Sequence, residues 1–132
     1  MKTSKTDIIQ LRNRFVKSKL RKVSIQWPPS NQVYTASRVE RGKHKCNICE
    51  KLVHYKEINK DHIEPVEPLK GLKKQENGEV DWNAYIPRLL CDVENYQAIC
   101  KKCHDIKTEQ ENEMRLYYRE QKRKKNKLKL RK

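Results

Sequence analysis

Apolar positions near the start of the chain recur with a helical period. Ile8, Leu11 and Phe15 recur at helical spacing, and Val16 and Leu20 could add to this set, so we predict an amphipathic helix over residues 6–22. Ser4 and Thr6 are both suitable residues to cap its first turn. We expect the apolar stripe of this helix to pack on the rest of the domain.

Shorter patterns follow in the middle of the chain. The segment Trp27-Pro28-Pro29-Ser30-Asn31 predicts a turn or hinge, because tandem prolines break a helix. Residues 52–55 and 58–63 predict two short strands around a turn. An excursion over residues 67–94 comes next, and within it Asn77-Gly78 predicts a turn. A short helix should begin at Asp81, whose carboxylate is a good cap.

The last third of the chain returns to a helical pattern. Asn95–Ile99 predicts a strand or tight turn, and helix follows from Cys100. Residues 122–132 are almost wholly basic, and we expect them to fray into a disordered tail when no polyanion is bound. These elements together predict an α+β fold.

The composition limits how such a fold can be stabilised. Of the 132 residues, 37% are charged and only 35% are hydrophobic. Hydrophobic burial alone would leave a core this small marginally stable, so a metal or another staple is expected.

Positive charge is concentrated at the two ends of the chain. Residues 1–41 carry ten Lys/Arg and two Asp/Glu, and residues 109–132 carry ten Lys/Arg and four Asp/Glu. Residues 42–108, in contrast, carry twelve Lys/Arg and eleven Asp/Glu. A nearly neutral middle between two basic flanks is typical of a nucleic-acid-binding protein whose arms contact phosphates. A Lys-rich surface that only confers solubility is the alternative.

The sequence also indicates where the chain is found. It contains no apolar run long enough to span a membrane, and Lys2 and Lys5 are not followed by the apolar segment of a secretory signal. We therefore expect a cytoplasmic protein that is neither secreted nor bound to a membrane.

Four of the five cysteines form two C-x2-C pairs, Cys46/Cys49 and Cys100/Cys103. Four thiolates at this spacing predict a closed tetrahedral zinc site with a structural role. The pairs are far apart in sequence, so the ion would join the two ends of a domain. Cys91 lies outside both pairs and is interpreted as a small buried hydrophobic residue.

Asp61, His62 and His104 are polar residues that a structural zinc site does not need. A carboxylate and an imidazole can hold a divalent ion, and a second imidazole is a suitable general base near neutral pH. Neighbouring strand residues point to opposite faces, which favours a division of roles. Asp61 and His104 would then hold the ion while His62 activates water.

Asn95 has several readings that the sequence leaves open. Its amide could orient the imidazole of His62, brace the loop by hydrogen bonds, or simply form a turn. His44 and His54 are predicted to be surface residues without a metal-binding role.

The order of these motifs resembles the HNH endonuclease family in its zinc-containing, bacteriophage-type form. The resemblance covers residues 43–110 and rests on the two cysteine pairs, Asp61-His62-Ile63-Glu64-Pro65-Val66, Asn95-Tyr96-Gln97-Ala98-Ile99, His104 and Lys107-Thr108. The family often has a Gly-rich turn after the Asp-His strand, whereas this chain has the longer excursion with a lone Gly71.

The resemblance implies a zinc-stapled ββα-metal core, also called a His-Me finger, with helical basic extensions at both ends. The HNH domain would span residues 42–110, between a basic helical arm and linker (1–41) and a basic helix and tail (111–132). By analogy, His62 is the general base, Asp61 and His104 bind a catalytic ion such as Mg²⁺ or Mn²⁺, and Asn95 belongs to the catalytic set.

The expected function is therefore metal-dependent cleavage or nicking of DNA by a one-metal mechanism. The alternative is a catalytically inactive, zinc-stapled DNA-binding module. If the protein is phage-encoded, it would act in the host cytoplasm in homing or DNA packaging, with packaging proteins as further partners. The cations expected to contact DNA are Arg12, Arg14, Lys107, Arg115, Arg119, Lys122 and Arg123.

Overall fold

The computed structural model describes residue 2 and residues 4–131. Within these residues the chain forms four α-helices and two small antiparallel sheets, which confirms the mixed α+β class. The elements in chain order are α1 (Lys5–Ser24), α2 (Pro28–Ala36), β1 (Arg38–Glu40), β2 (Lys43–Lys45), β3 (Leu52–His54), β4 (Ile58–His62), α3 (Trp82–Leu89), β5 (Tyr96–Cys100) and α4 (Lys101–Leu130).

Helix α1 begins where the sequence predicts but buries a different face. The Ser4 hydroxyl caps it by accepting a hydrogen bond from the Asp7 N–H at 3.1 Å. Leu11 and Phe15 of the predicted apolar stripe are 50% and 61% exposed, so this part of the stripe does not pack on the domain, whereas Leu20 does. Asn13 is buried instead, because the backbone of the excursion hydrogen-bonds to its side-chain amide.

The tandem prolines start a helix and do not form the predicted turn. Pro28 opens α2, and Pro29, Ser30 and Asn31 all lie within it. Proline is tolerated in the first turn of a helix, because the backbone N–H that it lacks would have no intrahelical partner there.

The two predicted strands exist, but they belong to different sheets. β3 pairs with β2 in the sheet β1-β2-β3, whereas β4 pairs with β5. A 3₁₀ turn over Tyr55–Glu57 separates them and redirects the chain. β1 and β2 are three-residue strands that the sequence analysis did not identify.

His44, on β2, is buried and only 4% exposed, so its prediction as a surface residue is wrong. Its Nδ1 lies 2.8 Å from the Ser37 hydroxyl, which provides the polar partner that a buried imidazole requires.

Residues 63–95 connect β4 to β5 and contain a small core of their own. Asp81 caps α3 as predicted, since its carboxylate accepts from the Ala84 N–H at 3.3 Å. Gly78 has a φ of +91°, which suits the predicted Asn77-Gly78 turn. The buried cluster consists of Val66, Val80, Tyr85 and Leu89, with Leu20 of α1 packed against it.

The second cluster of buried residues joins β5 to the cysteine pairs. It contains Cys46, Ile99 and Cys100, with Val53 and Cys103 packed around them. Cys100 ends β5 and also caps α4, because its sulfur accepts a hydrogen bond from the Cys103 N–H.

Helix α4 is 30 residues long and continues through Leu130. It therefore includes most of the basic segment that we predicted to fray. Residues 101–130 contain no glycine or proline, and Lys, Arg and Leu are good helix formers. Among the helices that the structure describes, none is both long and apolar enough to cross a membrane.

Candidate active site and metal centre

The four cysteines of the two C-x2-C pairs converge on one point. One pair lies in the turn after β2, and the other lies at the junction of β5 and α4. The four sulfurs are all within 4.8 Å of one another, and the Cys49 and Cys100 sulfurs are 3.8 Å apart. Sulfurs on a tetrahedral zinc at about 2.3 Å are separated by about 3.8 Å, so the cluster can hold a structural metal such as zinc.

Backbone N–H groups stabilise negative charge within this cluster. Burial opposes ionisation of Cys46, but N–H donors from Cys100, Cys49 and Ile48 outweigh burial and lower the pKa of Cys46 to about 6. Burial and hydrogen bonds shared with the other thiols raise the pKa of Cys103 to about 12. Binding of a metal would therefore displace protons from the cluster.

A separate polar cleft lies between β4 and the first four turns of α4. Asp61 and His62 end β4, and His104 lies in the first turn of α4. His104 Nε2 is 3.9 Å from Asp61 Oδ1. The cleft has a volume of about 250 Å³ and opens to solvent. The three residues predicted to carry the chemistry are therefore brought together.

The second oxygen of Asp61 is held by two donors. Gln97, the cross-strand partner of Asp61, donates to Oδ2 at 3.0 Å, and Lys107 Nζ lies 3.1 Å from the same atom. These contacts leave Oδ1 directed toward His104.

Lys107 connects Asp61 to a series of charges along α4. Its ammonium donates to the His62 carbonyl at 2.9 Å and pairs with Glu111, which in turn lies 4.0 Å from Arg115. Burial lowers the pKa of Lys107, but the bonds to Glu111 and Asp61 outweigh burial and raise it above its ordinary value. Lys107 is thus a fixed positive charge in the wall of the cleft.

The imidazole of His62 is oriented by β5 and by the end of α3. Its ring packs against that of Tyr96, its partner across the strands, with centroids 4.6 Å apart and planes tilted by 49°. Its Nε2 lies 2.8 Å from the Leu89 carbonyl oxygen, which also accepts from the Tyr96 hydroxyl at 2.8 Å. A carbonyl only accepts hydrogen bonds, so Nε2 carries the proton and Nδ1 has the free lone pair.

Burial also favours the neutral form of this imidazole. It lowers the pKa of His62 below its ordinary value, and the positive charges of Arg21 and Lys107 act in the same direction. The Leu89 carbonyl and the Asp61 carboxylate oppose this shift without reversing it. His62 is therefore an uncharged base at neutral pH.

Asn95 joins the chain that leaves β4 to the chain that enters β5. Its Oδ1 accepts from the Glu64 N–H at 2.8 Å, and its Nδ2 donates to the Glu64 carbonyl at 3.2 Å. Its own carbonyl accepts from the Ile63 N–H at 2.8 Å. These contacts correspond to the loop-bracing alternative, and among the described residues none of them reaches His62.

Cys91 lies just beyond α3 and is only partly buried. Its carbonyl accepts a hydrogen bond from the Trp27 indole at 2.7 Å, and its sulfur lies 3.7 Å from Asn95 Nδ2.

The cations predicted to contact DNA fall into two groups. Lys107 and Arg115 are engaged inside the protein, Arg115 with the carbonyls of Glu67 and Pro68. The others have exposed side chains and are free to meet a ligand: Arg12, Arg14, Arg119, Lys122 and Arg123.

Sequence reasoning missed three groups that shape the cleft: the Leu89 carbonyl, Tyr96 and Gln97. Gln97 and Tyr96 could have been found by pairing the β4 and β5 segments, which places them opposite Asp61 and His62. The Leu89 carbonyl could not have been found in this way, because every residue carries a backbone carbonyl.

Fold and site together define a small α+β domain with a four-cysteine cluster that can hold a structural metal, beside a separate polar cleft. Comparison with models of known protein families, with curated proteins and with solved structures found no match.

Proposed function

We propose that the chain is an HNH-type, metal-dependent DNA endonuclease that hydrolyses phosphodiester bonds. One observation carries the proposal. A carboxylate and an imidazole face each other at 3.9 Å, and a neutral imidazole with a free nitrogen lies beside them in the same open cleft. A protein that only binds DNA has no need of this arrangement.

His62 would act as the general base. Its Nε2 proton is held by the Leu89 carbonyl, so Nδ1 can accept a proton from the attacking water. Its lowered pKa keeps the base uncharged near pH 7. The packing of the ring against Tyr96 restricts its rotation, which maintains the direction of Nδ1.

Asp61 and His104 would hold the catalytic ion. Their facing atoms are 3.9 Å apart, within the about 4.2 Å that two ligands at about 2.1 Å from one ion can span. A divalent ion bound there would supply positive charge beside the leaving oxygen of the phosphodiester. Lys107 and Gln97 fix the other oxygen of Asp61, which orients the carboxylate before any ion binds.

Affinity for DNA would come mainly from phosphate contacts. The net charge of the chain is +15, and its cations are concentrated in α1 and in the second half of α4. Such contacts are largely independent of sequence and weaken steeply as salt increases.

The test is cleavage of supercoiled plasmid by the zinc-loaded protein with Mg²⁺, Mn²⁺ or Ni²⁺ added. We expect His62→Ala to reduce the cleavage rate at least about 100-fold, the lower end of what a general base contributes. His54→Ala is the matched control, because His54 is an exposed histidine on β3 outside the cleft, and this variant should cut at the parental rate.

Two results would contradict the proposal. A folded His62→Ala variant that retains zinc and cuts like the parent would exclude His62 as the base. A parent protein that cuts with none of the three ions, yet binds DNA, would favour the zinc-stapled binding module instead.

A further inference from the structure

A second groove continues from the cleft along α4. It lies between α4 and residues 67–74 of the excursion and has a volume of about 390 Å³. Glu67 and Arg115 line both the cleft and the groove, so the two depressions are contiguous. The cations along the groove, besides Arg115, are Lys70, Lys74, Arg119 and Lys122.

One face of α4 forms the floor of both depressions. With about 100° per residue, Glu111, Arg115 and Lys122 all lie within about 20° of His104 around the helix axis. His104 and Glu111 line the cleft, Arg115 lines both depressions, and Lys122 lines the far end of the groove. The helix therefore leads directly from the proposed catalytic ligand His104 to the basic groove.

The charge of the groove is strongly positive. Glu67 is the one carboxylate among the described residues that line it, and Lys17 of α1 neutralises that carboxylate at 3.0 Å. Arg115 is occupied with the carbonyls of Glu67 and Pro68, so it fixes the wall of the groove. Lys70 Nζ lies 5.5 Å above the Tyr118 ring, which directs this cation along α4.

We infer that this groove is a track for the phosphate backbone of duplex DNA on one side of the scissile bond. A regular polyanion suits it, because Arg119 and Lys122 follow one another along α4 while Lys70 and Lys74 line the groove from the excursion. A duplex strand presents one charge every 3.4 Å. The position of the scissile bond rests on the proposed function. The affinity of the groove for DNA does not depend on the proposed function.

The helix also sets the length of the track. At about 1.5 Å per residue, His104 and Lys122 are about 27 Å apart along α4. That distance equals about eight nucleotides of a duplex strand. The protein should therefore need about eight base pairs on one defined side of the bond that it cuts.

The experiment compares two double variants of the full chain. Arg119→Ala with Lys122→Ala removes two exposed cations from the groove face. Lys124→Ala with Lys127→Ala removes two exposed cations from the opposite side, since these positions lie about 200° and 140° around the helix from Lys122. Both variants lose the same charge from the same part of α4.

Binding of a 20-base-pair duplex is measured over a series of salt concentrations, with zinc bound and no other divalent ion added. The groove variant should bind on the order of tenfold more weakly, and the slope of log K against log salt should fall by about two. The control variant should retain the parental slope. An equal loss of DNA affinity in both variants would overturn the track. The track would also be overturned if an acidic peptide bound the parent as tightly as the duplex does and lost the same affinity in the groove variant.

A parallel measurement separates this inference from the proposed function. Binding is repeated in the His62→Ala background, where no cleavage is expected. A groove-specific loss of binding in a parent that never cuts would uphold the track and reject the nuclease. In a parent that cuts, the nicks mapped on each strand of a linear duplex should be depleted within about eight nucleotides of one end of that strand, either the 5′ or the 3′ end, and the absence of this asymmetry would reject the track length.

Discussion

Asn95 joins the end of the connection between β4 and β5 to its start, through the backbone of Ile63 and Glu64. Its amide binds both the N–H and the carbonyl of Glu64, which is the pattern that a paired strand would provide. The contact lies two residues after His62, so it also fixes the direction in which the chain leaves β4. Asn95 therefore acts by positioning the backbone that follows His62.

We predict that Asn95→Ala lowers the free energy of unfolding by about 1–3 kcal/mol, because two hydrogen bonds to Glu64 are lost. Asn95→Asp is the control, since it keeps the acceptor for the Glu64 N–H but not the donor, and it should fall between the parent and the Ala variant. Urea unfolding of the zinc-loaded proteins measures the free energy of unfolding of both variants. An unchanged midpoint for Asn95→Ala would show that the brace contributes nothing.

At the scale of single residues, side-chain chemistry was the part that could be predicted. Asp61 and His104 were named from their ligand types alone, and they face each other in the cleft. The Leu89 carbonyl could not be predicted, because it is a backbone atom 27 residues from the imidazole that it orients. His44 was misjudged because α2, which places the Tyr34 ring 4.5 Å from the imidazole, was not predicted.

Helix α3 contributes to the cleft through its carboxyl end. Leu89 is its last residue, so the Leu89 carbonyl has no intrahelical partner and is free to bind His62 and Tyr96. The start of the helix is fixed by Asp81 and its end by the buried side chain of Leu89. The stability of this short helix therefore affects the position of the proposed base.

We predict that Asp81→Ala destabilises the protein by about 1 kcal/mol, because the N–H of Ala84 loses its cap. Asp81→Asn retains an acceptor at the same position and should cost only a few tenths of a kcal/mol. Chemical denaturation followed by circular dichroism compares the two. Equal losses in both variants would assign the effect to the charge of Asp81 and not to capping.

Elements with a clear period or a clear cap were predictable from the sequence, and short ones were not. α1 and α3 begin at or next to the predicted caps, whereas the three-residue strands β1 and β2 are too short to show any period. α2 was missed because the same prolines that end one helix can open the next. The buried face of α1 depends on the polar Asn13, which a search for apolar stripes overlooks.

At the scale of the whole molecule, we expect stability to depend on a metal held by the cysteine cluster. The two buried clusters that the described residues form are small, and the four sulfurs join the ends of the 46–103 segment. Zinc bound to such a site contributes about 10–16 kcal/mol of apparent binding free energy. That is comparable to the whole stability of a typical domain.

We predict that Cys100→Ser, or removal of zinc by a chelator, unfolds the protein at room temperature. Cys91→Ser is the matched control, because Cys91 lies outside the cluster, and this variant should bind one zinc and melt like the parent. Zinc content and thermal unfolding measure the outcome. Restoring zinc to the chelated parent should restore its melting transition, and a Cys100→Ser protein with full zinc content and unchanged melting would reject the role of the cluster.

Cys100 has a mechanical consequence for the two ends of α4. It is at once the last residue of β5, the cap of α4 and a member of the sulfur cluster, so it is the pivot from which the long helix projects. A rotation of 5° at this pivot would move His104 by about 0.5 Å but Lys122 by about 3 Å, given a rise of about 1.5 Å per residue. Movement at the cysteine cluster would therefore be magnified along α4. The contacts of Lys107 with Asp61 and of Arg115 with Glu67 and Pro68 oppose such a rotation.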